Sequence, residues 1–178
     1  RRAREVQSEQ PAAANQVFLA DPYMRLWSSP QGQWLRVKGT PTLYWNKGDF
    51  FDAFSVAMPL QPGVALTFAA AGRDPAQGYQ LAIEAPTAGT AACPVVLRRL
   101  GRPLKSAMVT PQAAAGKLTL CRGGDVVWAT YGGKQLFSLH DPAPLAGRCV
   151  GVSVPAGFDV GTLDVKRENV IDYPFEEA

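Results

Sequence analysis

Apolar and polar residues alternate with a period of two over three successive stretches in the middle of the chain. Phe54, Val56, Met58 and Leu60 alternate with Ser55 and Ala57; Val64, Leu66 and Phe68 alternate with Ala65 and Thr67; Tyr79, Leu81 and Ile83 alternate with Gln80, Ala82 and Glu84. In a strand, successive side chains point to opposite faces, so this pattern predicts three half-buried strands rather than helices. Gln61-Pro62-Gly63 and Gly72-Arg73-Asp74-Pro75 supply turn residues between them. Similar stripes recur at Val95 and Leu97, Leu118 and Leu120, Phe137 and Leu139, and Val150, Val152 and Val154. From Leu118 to Val165 the strands follow one another across Gly-Gly turns and a Pro-rich corner, as in an antiparallel meander.

No segment sustains a helical period, although residues 111–117 can form a single turn, which argues against a parallel α/β design. The prediction is all-β, a two-sheet antiparallel β-sandwich that buries all these stripes between its layers. Its strand count, about a dozen, exceeds that of an immunoglobulin sandwich and suits a jelly roll.

At 178 residues and 47% hydrophobic content, the chain is long enough for one domain with a substantial core. Residues 1–15 are charged and then Pro/Ala-rich, which reads as a flexible leader or linker. The sandwich is expected over 16–168, with 169–178 as a tail or the start of a further domain. The formal charge of +3 owes much to Arg1, Arg2 and Arg4 in the leader, so net charge names no partner. Arg98, Arg99, Arg102 and Lys105 read as a solvated strand and turn, and no nucleic-acid module accompanies them.

No apolar run approaches the roughly 18 residues of a membrane span. The chain does not begin with Met, which leaves room for a signal peptide or anchor upstream. Cys93, Cys121 and Cys149 allow at most one internal disulfide. One bridge with one buried thiol, or three buried thiols, are both compatible with the spacing.

Chemistry-bearing motifs are sparse. The fifteen carboxylates are dispersed, and His140 is the single histidine, placed just before the Asp141-Pro142 corner. A triad or transition-metal site would have to use that residue, whose position better suits a hydrogen bond to a turn. No GxSxG elbow, GxGxxG or P-loop occurs. The aromatic residues are the stronger candidates. Trp34 shares a strand face with Arg36 and Lys38, so if Leu35 and Val37 are core, Trp34 faces outward, where an indole can stack on a sugar ring. Tyr44 and Trp45 extend that platform, Trp27 and Trp128 can join it, and Arg36, Asn46 and Asp49 are the expected polar partners for sugar hydroxyls. The same aromatics can equally pack beneath loops at the sandwich edge.

Two stretches carry a family resemblance. VFLADPYMRLWSSPQGQWLRVKG (17–39) resembles the opening of concanavalin A-like lectin/glucanase domains, a superfamily that includes laminin G-like modules. GGKQLFSLHDPAPLAGRCVGV (132–152) and GTLDVKR (161–167) resemble its closing strands. The resemblance covers residues 17–168 and implies a jelly-roll sandwich of the kind found in secreted or periplasmic sugar-active and sugar-binding proteins. It also implies a structural Ca2+ held between the first and last strands, by Asp21 and Asp164, although Pro22 stands where a second acidic residue is common. The Glu-x-Asp-x-(x)-Glu arrangement of the superfamily's catalytic members is absent. The expectation is therefore a non-catalytic, extracytoplasmic module that binds carbohydrate or another protein, as an accessory subunit of a larger complex. The alternative, a glycoside hydrolase or related sugar-active enzyme on the same fold, requires two carboxyl groups about 5–10 Å apart across a cleft.

Overall fold

The computed structural model describes residues 16–19, 34–37, 42–45, 53–71, 74–147 and 149–167. Among these, thirteen strands form two sheets. The strands are β1 (Gln16–Leu19), β2 (Trp34–Val37), β3 (Leu43–Trp45), β4 (Ala53–Met58), β5 (Ala65–Ala70), β6 (Tyr79–Ile83), β7 (Cys93–Arg99), β8 (Arg102–Val109), β9 (Leu118–Gly123), β10 (Val126–Tyr131), β11 (Lys134–His140), β12 (Cys149–Ser153) and β13 (Asp164–Arg167). One sheet has eight strands in the order β1-β2-β3-β12-β5-β6-β7-β8, and the other has five, β11-β10-β9-β4-β13. All pairings are antiparallel except β1 with β2. The chain is thus the all-β, two-sheet antiparallel sandwich that the period-two stripes predict.

Those stripes are the core. Phe54, Val56 and Met58 of β4 and Leu118 and Leu120 of β9 pack against Leu66, Phe68, Tyr79, Leu81, Ile83, Val95, Leu97, Val150 and Val152 of the facing sheet. Removing each such side chain from water contributes about 1.5–3 kcal/mol. An aromatic column crosses the interior: Phe54 meets Phe68 edge-on at 5.6 Å, and Phe68 stacks on Tyr79 at 5.0 Å.

At the end of that column the Tyr79 hydroxyl leaves the core and donates to Asp141 Oδ2 at 2.5 Å. Arg99 Nε donates to the same oxygen at 2.8 Å, and the Ala143 N–H donates to Oδ1 at 3.0 Å. Tyr79 in turn accepts from the Leu145 N–H, and Arg99 reaches the Ala143 carbonyl. Arg122, buried on β9, donates to the Leu145 carbonyl from below. The connection from β11 to β12 is therefore tied to β6, β7 and β9. It runs so close to β5 that a Cβ on Gly147 would lie 2.2 Å from the Ala69 carbonyl oxygen, which only glycine permits.

The Tyr79 hydrogen bond, then the Ala143 N–H and the Arg99 guanidinium, hold the Asp141 carboxyl below the usual carboxylate range, while burial raises the Tyr79 phenol. Cys93 and Cys149 are buried and Cys121 is half-buried, and all three are unbridged thiols.

Tyr79→Phe, which removes a buried hydroxyl that both donates and accepts, lowers unfolding free energy by about 1–3 kcal/mol in urea titrations. Because its folded pKa is depressed, Asp141 stabilises the fold fully above about pH 4 and loses that effect as pH falls through the folded value. The stability gap between wild type and Asp141→Asn accordingly narrows on acidification below that range. A gap that stays constant with pH would refute the ionic contribution. Separately, Leu100 sits at φ 50° beside Gly101 at φ 79° in the two-residue β7–β8 turn, a left-handed conformation that suits Asn or Gly. Leu100→Asn is expected to raise stability by about 0.5–1 kcal/mol, measured by thermal unfolding.

Candidate functional site

Strand alternation and register arrange the outer face of the five-stranded sheet as three rungs running across the strands. The middle rung is Ser138 (β11), Trp128 (β10), Cys121 (β9), Ser55 (β4) and Lys166 (β13). One neighbouring rung is Gln135, Thr130, Thr119, Ala57 and Asp164; the other is His140, Val126, Gly123 and Ala53. Their alternates Val127, Ala129, Leu120, Phe54 and Val56 are in the core, which fixes these residues on the opposite face.

Trp128 is half-buried, and the edge of its six-membered ring lies beside Gly123, where a Cβ would stand 3.5–3.6 Å from two indole carbons, an ordinary contact. Between Trp128 and β13 the floor holds only Ala53, Ser55, Ala57, Thr119, Cys121 and Gly123. Three strand spacings, about 14 Å, separate the backbones of β10 and β13. A shallow trough results, with an aromatic wall on one side, a charged wall on the other and a floor of small and hydroxyl-bearing residues.

His140 stands at one corner, where its Nε2 is 2.8 Å from Asp125 Oδ2 in the β9–β10 turn, and both side chains are more than half exposed. The histidine thus bonds a turn, as its position before the Pro corner suggests. At the opposite wall, Asp164 Oδ2 accepts from Lys117 Nζ at 2.8 Å.

The expected aromatic platform is arranged differently. Trp34 is buried at 1% exposure and meets Trp45 edge-on at 5.2 Å inside the core. The β2–β3 register sets Trp34 opposite Trp45 and Arg36 opposite Leu43, and Leu43 and Trp45 point inward. Trp34 therefore does not face outward. Arg36 is half-buried on the same strand face as Trp34. Tyr44 points to the outer face of the eight-stranded sheet, where it is buried at 1% exposure with Ala70 and Cys149 and packs over Gly151. Trp45 is partly buried against the core. Asn46, Asp49, Asp21 and Trp27 lie outside the described residues. Of the aromatics singled out by sequence, Trp128 alone is described on an accessible face. The signal for it lay in its phase: Trp128 alternates with Val127 and Ala129, and Gly123 precedes it by one hairpin.

The described residues do not fit a calcium ion at Asp164, because a lysine ammonium already engages that carboxylate and repels a second cation. No group of three or more His, Cys, Asp or Glu that could hold a metal occurs among the described residues. The six described carboxylates are each committed elsewhere. Glu84 pairs with Arg98, Asp125 with His140, Asp141 with Arg99 and Asp164 with Lys117, while Asp74 and Asp159 cap short turns.

No family model and no curated protein matches the chain. Among solved structures it is similar to a carbohydrate-binding module, CBM66, from Bacillus subtilis, at 14% identity and a TM-score of 0.43 over 72% of this chain and 80% of that one. It is also similar to the carbohydrate recognition domain of Emp47p, at 14% identity and a TM-score of 0.40 over 62% and 67% of the two chains. A third is the Caenorhabditis elegans galectin LEC-6, at 13% identity and a TM-score of 0.36 over 67% and 82%.

Trp128 and Trp34 differ sharply in their surroundings, and quenching tests that difference. The fluorescence removed by Trp128→Phe is expected to be acrylamide-accessible, and that removed by Trp34→Phe to be shielded. Equal quenching of the two components would contradict the placement.

Proposed function

We propose that this chain is a non-catalytic β-sandwich module that holds a carbohydrate chain in the trough beside Trp128, working outside the cytoplasm as an accessory part of a larger assembly. The observation that carries this reading is an indole seated beside Gly123 on the outer face of the sheet, with small and hydroxyl-bearing side chains next to it. The C–H face of a sugar ring packs on an aromatic face, while its hydroxyls need donors and acceptors nearby; Thr119, Thr130, Ser138 and Gln135 supply these. An apolar ligand would leave those hydroxyls unpaired, at a cost.

Trp128→Ala is expected to weaken retention by polysaccharide in affinity gels at least about tenfold, a loss of about 1.4 kcal/mol, while far-UV circular dichroism is unchanged. Undiminished retention would sink the reading.

A protein partner is the second reading, favoured by β8. This strand ends the eight-stranded sheet, and its hairpin exposes Leu100, Leu104 and Met108 at 47%, 41% and 57%. Cross-links in the native assembly centred on β8 would support it, and a β8 that stays fully solvent-accessible there would exclude it.

A further inference from the structure

The trough has two unlike walls, and the second one bears on the charge of what lies between them. Asp164 and Lys166 project from β13 on the same face, one rung apart. Lys117, just before β9, donates to Asp164 Oδ2 at 2.8 Å and to the Thr162 carbonyl at 2.5 Å, so its charge and that of Asp164 cancel locally. Lys166 is exposed and makes no ion pair among the described residues.

It stands on the middle rung, in line with Ser55, Cys121, Trp128 and Ser138, with the buried Ser55 and the half-buried Cys121 between it and the indole. Among the described residues nothing acidic on that floor offsets it. The other carboxylate at the trough, Asp125, is at the far corner and is bound by His140. The described trough is therefore apolar and aromatic at β10 and positive at β13. A ligand that satisfies both walls presents a ring face and, within one or two sugar units of it, an anionic group.

We infer that the trough selects acidic polysaccharide, with a sugar ring on Trp128 and a carboxylate or sulfate at Lys166. This rests on the carbohydrate reading of the same face. Lys166 acts as a charge contact that discriminates between ligands, and Trp128 as the anchor common to all of them.

The test is affinity electrophoresis through gels containing polygalacturonate, hyaluronate or heparin, against the methyl ester of polygalacturonate and xyloglucan as neutral polymers. Four proteins are run: wild type, Trp128→Ala, Lys166→Gln and Lys105→Gln. Lys105 is exposed on β8 of the other sheet, so its variant carries the same loss of charge away from the trough. Wild type is expected to be retarded by at least one acidic polymer, more weakly at high salt. Lys166→Gln is expected to lose about three- to fivefold of that affinity, Lys105→Gln none, and Trp128→Ala most of it. Carboxylated against sulfated polymers identify the anion.

Equal behaviour of Lys166→Gln and Lys105→Gln would overturn the inference. So would retention confined to the neutral polymers, which would leave the carbohydrate reading intact. Retention by no polymer would remove both.

Discussion

A single carboxylate, that of Asp141, joins the two layers of this sandwich at the point where the chain crosses between them. It ends the outermost strand of the five-stranded sheet and accepts hydrogen bonds from Tyr79 of β6, Arg99 of β7 and the backbone of its own turn. Tyr79 is also the last ring of the Phe54–Phe68–Tyr79 column, so the polar tie and the hydrophobic core share a side chain. Desolvating a carboxylate is costly unless its lone pairs are occupied, and here two side chains of the eight-stranded sheet and the N–H of Ala143 occupy them. Both Ser138 and His140, at the rim of the trough, lie on the strand that this tie terminates.

The fold class was legible because β6, β9 and β10 each alternate cleanly between buried and half-buried positions, and β4 and β5 alternate in sequence even where both faces are covered; local alternation is a property of the sequence itself. Strand order was not, since pairing β12 with both β3 and β5 depends on contacts across large sequence separations. Strand β8 shows why alternation can fail: at the sheet edge seven of its eight residues are exposed or half-buried, so no stripe marks it.

Trp34 and Trp128 carry the same lesson for the site. Each sits in a short alternating strand, and sequence alone cannot say which phase meets the core when both phases contain apolar groups. Leu35 and Val37 suggested one answer for β2. The register with β3 gives the other, because a large ring fills the end of the sandwich better than it covers the outside. The trough itself was illegible for a different reason. It is made by the absence of bulk at Ala53, Ala57 and Gly123, and small residues leave no signal until their neighbours across the sheet are known.

Strand β12 arrives late in the order of the strands. Its residues, Cys149–Ser153, lie near the end of the chain, yet they occupy the middle of the eight-stranded sheet. Until they are in place, β1, β2 and β3 have no hydrogen-bonded link to β5 through β8. A chain emerging from the ribosome can form its successive hairpins early, but it completes this sheet only after almost all of the sandwich has been synthesised. Folding is thereby tied to long-range closure, which is slow, and the two exposed flanks that await β12 are a sheet edge that the nascent protein must keep from pairing elsewhere.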